Sequence, residues 1–149
     1  MSSLVLCFAI AYAGSAVTLP SINTWYPTLA KPFFNPPNYV FGPVWTILYF
    51  LMAVSLALIW SAPKKKHTKQ AIQYFMTQLA LNFLWSLVFF GFHLPLFALF
   101  VILFLWAAIF KSILQFLSIS QTAAFLMIPY LIWVSFATIL NLAIVFLNF

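Results

Sequence analysis

Lysines at 31, 64, 65, 66, 69 and 111 are the whole formal charge of this chain, and the stretches between them decide what it can fold into. No Asp, Glu, Lys or Arg occurs in 1–30, 32–63, 70–110 or 112–149. The hydrocarbon core of a bilayer is about 30 Å thick and takes about 20 apolar residues of α-helix to cross. Charge-free runs of at least that length, in a chain that is 66% hydrophobic, read as spanning helices and exclude a water-soluble fold. At 149 residues there is room for five crossings with short connections and none for a separate soluble domain. Residues 1–149 therefore read as a single transmembrane domain of the all-α class, a five-helix bundle.

The spans are placed by proline and by residue type. The first covers about 4–20, ending at Pro20. Ala11-Tyr12-Ala13 has the form of a leader cleavage site, but no cation precedes the apolar run, so a retained span is expected. Between 21 and 38 the chain turns to Trp, Tyr and Asn, and Pro27, Pro32, Pro36 and Pro37 prevent a regular helix, giving one long Pro-rich loop. The second span covers about 40–61 and tolerates Pro43 in its first turn. A basic loop follows, then spans at about 70–92, 94–117 and 122–147. Links this short hold neighbouring helices antiparallel.

With five crossings, Lys64, Lys65, Lys66, Lys69 and Lys111 fall on the side of the N-terminus and Lys31 alone on the other. In a bacterial membrane the positive-inside rule then puts the N-terminus in the cytoplasm and the Pro-rich loop and C-terminus outside. Lys111, close to a helix end, is expected to snorkel to the head groups.

The absence of every carboxylate removes several chemistries at once. Paired-acid hydrolysis, carboxylate-held metals and acidic proton relays all lack their residue type, which also counts against a proton-coupled exporter. His67 and His93 have no second ligand near them in sequence, so neither a metal nor a resident cofactor is expected. Cys7 reads as a small buried hydrophobe. The lysine run carries no stacking or phosphate-cradling motif, so nucleic acid is not an expected partner, whereas the lipid bilayer is.

Inside a membrane the informative side chains are the polar and large aromatic ones. Helical spacing puts Trp45, Tyr49 and Met52 on one face of the second span. It does the same for Gln78, Asn82, Trp85 and Phe89 in the third span and for Tyr130, Trp133, Ala137 and Asn141 in the fifth. Three such faces can converge into an aromatic-walled cavity, in which rings stack on a planar apolar ligand and Gln78, Asn82 and Asn141 supply directional hydrogen bonds. The alternative is helix packing with cross-helix amide bonds, and interfacial anchoring for Trp25, Tyr26, Tyr39 and Trp60 near span ends.

Three ordered segments, WYPTLAKPFFNPPNYVFGPVWTILY at 25–49, QLALNFLWSLVFFG at 78–91 and PYLIWVSFATILN at 129–141, make the chain resemble the tryptophan-rich sensory proteins and mitochondrial translocator (peripheral benzodiazepine receptor) proteins of the TspO/MBR family. The resemblance runs over nearly the whole chain. It implies a five-helix bundle, commonly a homodimer, that binds porphyrins and haem-type tetrapyrroles, sterols and synthetic benzodiazepine-type ligands in a pocket under the first loop. The family's pocket positions fall on Trp25, Tyr26, Phe34, Trp45, Tyr49, Asn82, Trp85, Trp133 and Ala137, with Trp25 and Tyr26 as a lid. It also implies a choice of function. One is a receptor, sensor or carrier for tetrapyrroles. The other is a light-dependent porphyrin-degrading enzyme, with Trp45 and Trp133 as redox partners of the excited ligand.

The chain departs from the family in places. Phe34 stands where Trp is usual, keeping a stacking face but losing an indole donor. Val101 stands for an acidic residue of some members and Phe97 for a Trp, so that wall is less polar. The sterol-associated pattern at the end of the last span lacks its Tyr, replaced by Leu142, and its cation, which counts against sterol binding by that route. A reversed version through Lys69, Tyr74 and Leu79 reads as chance. A small-residue pair proposed elsewhere as a dimer contact appears as Gln73 and Thr77.

Overall fold

The computed structural model describes residues 2–22, 24–63 and 68–148. Six helices make five crossings: α1 (Ser2–Ile22), α2 (Asn38–Ser61), α3 (Thr68–Ser86), α4 (Pro95–Leu117), α5 (Gln121–Leu126) and α6 (Ile128–Asn148). The apolar lengths able to cross a bilayer are Leu4–Ile22, Val40–Ser61, Thr68–Gly91, Pro95–Leu117 and Gln121–Asn148. Around the bundle α2 packs on α1, α1 on α3, α3 on α4 and α4 on α6, and α5 closes the ring between α4 and α2. Lys64, Lys65, Lys66 and His67, with the side chain of Tyr39, lie outside the described residues.

Proline decides the local departures from the sequence expectation. The first span does not stop at Pro20 but runs two residues further, to Ile22. A proline there forfeits only its own bond to the preceding turn, and its fixed φ is helical. The last span is two helices rather than one. Pro129 has no N–H for the carbonyl of Phe125, so the ladder breaks at Met127, whose N–H bonds Ala124 O at 3.1 Å, and resumes with Leu131 N–H to Met127 O at 3.1 Å. Ser120 caps the start of α5 by accepting the N–H of Ala123. Pro95 opens α4, where an N–H would have no partner in any case.

The third span ends differently. After Ser86 it widens into a π-turn, Leu87–Gly91, with Phe92 N–H bonded to Leu87 O at 2.8 Å. Single π-turns of this kind mark functional segments. His93 then takes a left-handed φ of 58°, a conformation His adopts more readily than most residues.

Packing is unequal along the bundle axis. At the end near Lys69 the core is dense: Leu56 and Ile59 of α2, Phe75 of α3 and Ile109 and Phe116 of α4 are fully buried. Phe75 and Phe116 stack there with centroids 6.1 Å apart. Toward the loop between α1 and α2 the helices diverge around a cavity.

Candidate functional site

The cavity encloses about 510 Å³, within the range that small-molecule sites occupy. Its walls come from four helices. The first three turns of α2 contribute Phe41, Gly42, Trp45, Thr46 and Tyr49. The end of α3 and its π-turn contribute Asn82, Trp85, Ser86, Phe89 and Phe90. Trp133, Phe136, Ala137, Leu140, Asn141 and Ile144 line it from α6. The fourth wall is α1, through Phe8, Ala11, Gly14, Ser15, Thr18, Leu19 and Ile22.

The aromatic faces meet edge to face. Trp45 and Trp133 stand perpendicular, with centroids 6.4 Å apart. Phe41 meets Trp133 at 6.1 Å and 71°, and Trp85 stacks on Phe89 at 5.3 Å. Pairs of this geometry contribute about 0.5–1.5 kcal/mol each beyond area burial.

A chain of buried hydrogen bonds forms the floor. Tyr49 OH donates to Asn82 Oδ1 at 2.9 Å, Asn82 Nδ2 donates to Tyr130 OH at 2.6 Å, and Tyr130 OH donates to Gln78 Oε1 at 2.7 Å. Gln78 Nε2 ends the chain on Met52 Sδ at 3.7 Å. On the side wall Trp85 Nε1 donates to Asn141 Oδ1, and Asn141 Nδ2 to Pro95 O, each at 3.0 Å, tying α3, α6 and α4 together. One polar atom stands apart. Among the described residues, Trp133 Nε1 is the buried side-chain nitrogen or oxygen without a hydrogen-bond partner.

The loop between α1 and α2 covers the cavity as a lid. Tyr26, in the 3₁₀ turn Tyr26–Thr28, is 2% exposed and packs on Phe90 at 5.7 Å and Phe41 at 6.5 Å. Its OH donates to Asn35 Oδ1 at 2.7 Å. Lys31 Nζ donates to the carbonyls of Tyr26 at 3.0 Å and Leu29 at 2.9 Å, and lies 4.9 Å from the centre of the Tyr26 ring. Asn148, at the end of α6, both accepts from Ala30 N and donates to Ala30 O, at 3.0 and 2.8 Å. Ser21 Oγ donates to Phe90 O and is 3.1 Å from His93 Nε2.

Of the residues named from the sequence, Tyr26, Trp45, Tyr49, Asn82, Trp85, Trp133 and Ala137 line this cavity. Trp25 and Phe34 do not. Trp25 sits on Phe89 and His93, and Phe34 on Phe136 at 6.1 Å, so both support the lid from outside the cavity. Gln78, 0% exposed, and Tyr130 belong to the floor's hydrogen-bond chain without lining the cavity themselves. The α1 wall was missed. Its signal is the small-residue spacing Ala11, Gly14, Ser15, Thr18, a helical stripe that aromatic density does not mark. Phe136 and Phe90 were missed for the opposite reason, since Phe is common everywhere in this chain. Among exposed residues, Trp60 lies at the far end of α2, Lys111 within the last two turns of α4, and Gln73 and Thr77 on the outside of α3.

Comparison with known proteins covers the same length. The model of the TspO/MBR family matches residues 3–147. A tryptophan-rich protein TspO of Archaeoglobus fulgidus is 43% identical over 148 residues, 99% of this chain and 95% of its own. A tryptophan-rich sensory protein of Cereibacter sphaeroides is 36% identical over 148 residues, 98% of this chain and 92% of its own. The human translocator protein is 36% identical over 119 residues, 78% of this chain and 70% of its own.

Proposed function

Because this chain belongs to the TspO/MBR family, we propose that it is a membrane receptor or carrier that holds porphyrins and related planar hydrophobic ligands in its aromatic cavity. The observation that carries the reading is the cavity of about 510 Å³ lined by the indoles of Trp45, Trp85 and Trp133 together with the amides of Asn82 and Asn141. A planar macrocycle brings acceptors at its edge and flat faces for Trp45, Trp85 and Trp133. The relatives' names, a sensory protein and a translocator protein, support a role that responds to or moves a ligand.

Synthetic benzodiazepine-type ligands compete for the same space. The protein acts as a homodimer, whose interface the replacement of the small-residue pair by Gln73 and Thr77 leaves open. In a bacterial membrane the N-terminus and Lys69 face the cytoplasm, and the lid and the end of α6 face outside.

Titration of the purified protein with protoporphyrin IX tests the site. A saturable Soret shift that weakens in Trp133→Leu and Asn82→Ala is expected, and an unchanged titration in both variants removes the cavity from the reading. The same complex under illumination examines the degradative alternative, for which the perpendicular Trp45 and Trp133 are the redox candidates. Porphyrin consumed over many equivalents in light and not in darkness establishes turnover, and intact porphyrin leaves binding as the function.

A further inference from the structure

The cavity is closed toward water and open toward lipid. On the water side the lid is braced internally by the Tyr26–Asn35 bond and fastened to α6 through both backbone groups of Ala30 on Asn148, while Ser21 ties the end of α1 to Phe90 and His93 beside it. Beneath the lid Ile22, Tyr26, Phe89 and Phe90 are all buried. Laterally the situation is reversed. The exposed residues of the lining are Ser15 and Leu19 of α1 and Thr46 and Gly42 of α2, two on each of two adjacent helices.

Exposed lining residues confined to one helix pair mark an opening between those helices. Its depth follows from helix rise: Ser15 lies seven residues before Ile22 and Thr46 six after Val40, about 9–10 Å from the span ends at 1.5 Å per residue. That depth is within one leaflet's half of the hydrocarbon core, about 15 Å thick. The rim is also shaped to stay open. A Cβ added at Gly42 meets no atom within 4 Å, and Thr46 turns its hydroxyl back onto Gly42 O at 2.9 Å.

Resting on the ligand reading above, we infer that the gap between α1 and α2, framed by Ser15, Leu19, Gly42 and Thr46, is a lateral portal through which a planar hydrophobic ligand passes between the bilayer and the cavity. The ligand class is thereby restricted to molecules that partition into hydrocarbon. The lid is a cover and not the gate.

The test uses the full chain in phosphatidylcholine bilayers, with protoporphyrin IX as probe and quenching of tryptophan fluorescence as readout. Gly42→Leu adds a side chain at the opening, where a Cβ meets no atom within 4 Å, and should slow both association and dissociation, each about tenfold, a double effect that altered contact with the bound ligand alone does not produce. Ser15→Leu narrows the opposite rim and should do the same, so the proposal does not depend on one variant folding. Asn148→Ala releases the lid and should leave both rates within about twofold of the wild type. At constant total porphyrin, added empty lipid should slow association in proportion to the fall in membrane concentration. Unchanged rates in both rim variants, or rates raised by Asn148→Ala, overturn the portal. Absence of saturable binding by the wild-type protein overturns the ligand reading itself, and the portal with it.

Discussion

His93 lies face to face with Trp25, the ring centroids 4.4 Å apart and the planes 11° from parallel. The single hydroxyl proton of Ser21 goes to Phe90 O, so the Ser21 oxygen accepts from His93 Nε2–H. One side chain thus joins α1, the π-turn and the lid, and does so from a left-handed backbone. His93→Gly keeps that backbone and deletes the ring. It should speed amide exchange in residues 24–31 by about fivefold, matching the loss of about 1 kcal/mol of stacking. His93→Val adds strain in a conformation that β-branched residues avoid, and should lower thermal stability further than His93→Gly.

Tyr130 is the centre of the floor, accepting from Asn82 and donating to Gln78. Tyr130→Phe orphans both amides in a fully buried position, at about 1 kcal/mol for each. Tyr49→Phe deletes one donor and leaves Asn82 bound to Tyr130. Thermal unfolding in detergent should therefore drop about twice as far for Tyr130→Phe as for Tyr49→Phe. Equal drops would mean that the chain of bonds is not continuous through Tyr130.

What could be read beforehand follows from which physical signal each part carries. The faces of α2, α3 and α6 were legible because Trp, Tyr, Asn and Gln recur at 3.6-residue spacing within long apolar spans. The wall from α1 carries neither aromatics in register nor amides, and its Ala, Gly and Ser shape the cavity by being small, which a search for functional groups passes over. The Asn148–Ala30 tie joins residues 118 apart, beyond any local pattern. The family resemblance implies pocket places for Trp25 and Phe34, yet of the loop's aromatics only Tyr26 lines the cavity. The break at Met127 was present in the sequence as Pro129, but a first-turn proline and a helix-splitting proline differ only in where the preceding helix began.

The lid also has a pH limit. Burial pushes the Tyr26 phenol from 10.0 up to about 12. The lid therefore holds the neutral ring. Its stabilising contribution is complete below pH 10, the ordinary value, and is lost as pH rises through about 12. The difference in phenolate absorbance between the wild type and Tyr26→Phe should titrate near the higher value. A difference step at the ordinary tyrosine value would mean that Tyr26 is not held under the lid.

Trp85 and Trp133 face the same cavity but spend their indole N–H groups differently, and this separates stability from binding. Trp85 Nε1 is bound to Asn141, which in turn holds Pro95 O, whereas Trp133 Nε1 has no partner among the described residues. Replacing either by Phe keeps a stacking ring and removes the donor. In Trp85→Phe the lost donor was tying α3 to α6, so unfolding should come earlier by about 1–3 kcal/mol, the cost of leaving the buried amide oxygen unmet. In Trp133→Phe no protein hydrogen bond is lost, and the unliganded protein should be destabilised only by the smaller ring. Its porphyrin affinity should fall about tenfold, equivalent to about 1.4 kcal/mol, because the bound ligand loses the larger indole face that lines the cavity. Calorimetric unfolding of both variants with and without protoporphyrin IX reads the two effects together. If Trp133→Phe binds as tightly as the wild type while Trp85→Phe binds tenfold more weakly, the indole that holds the ligand is on α3 and not on α6.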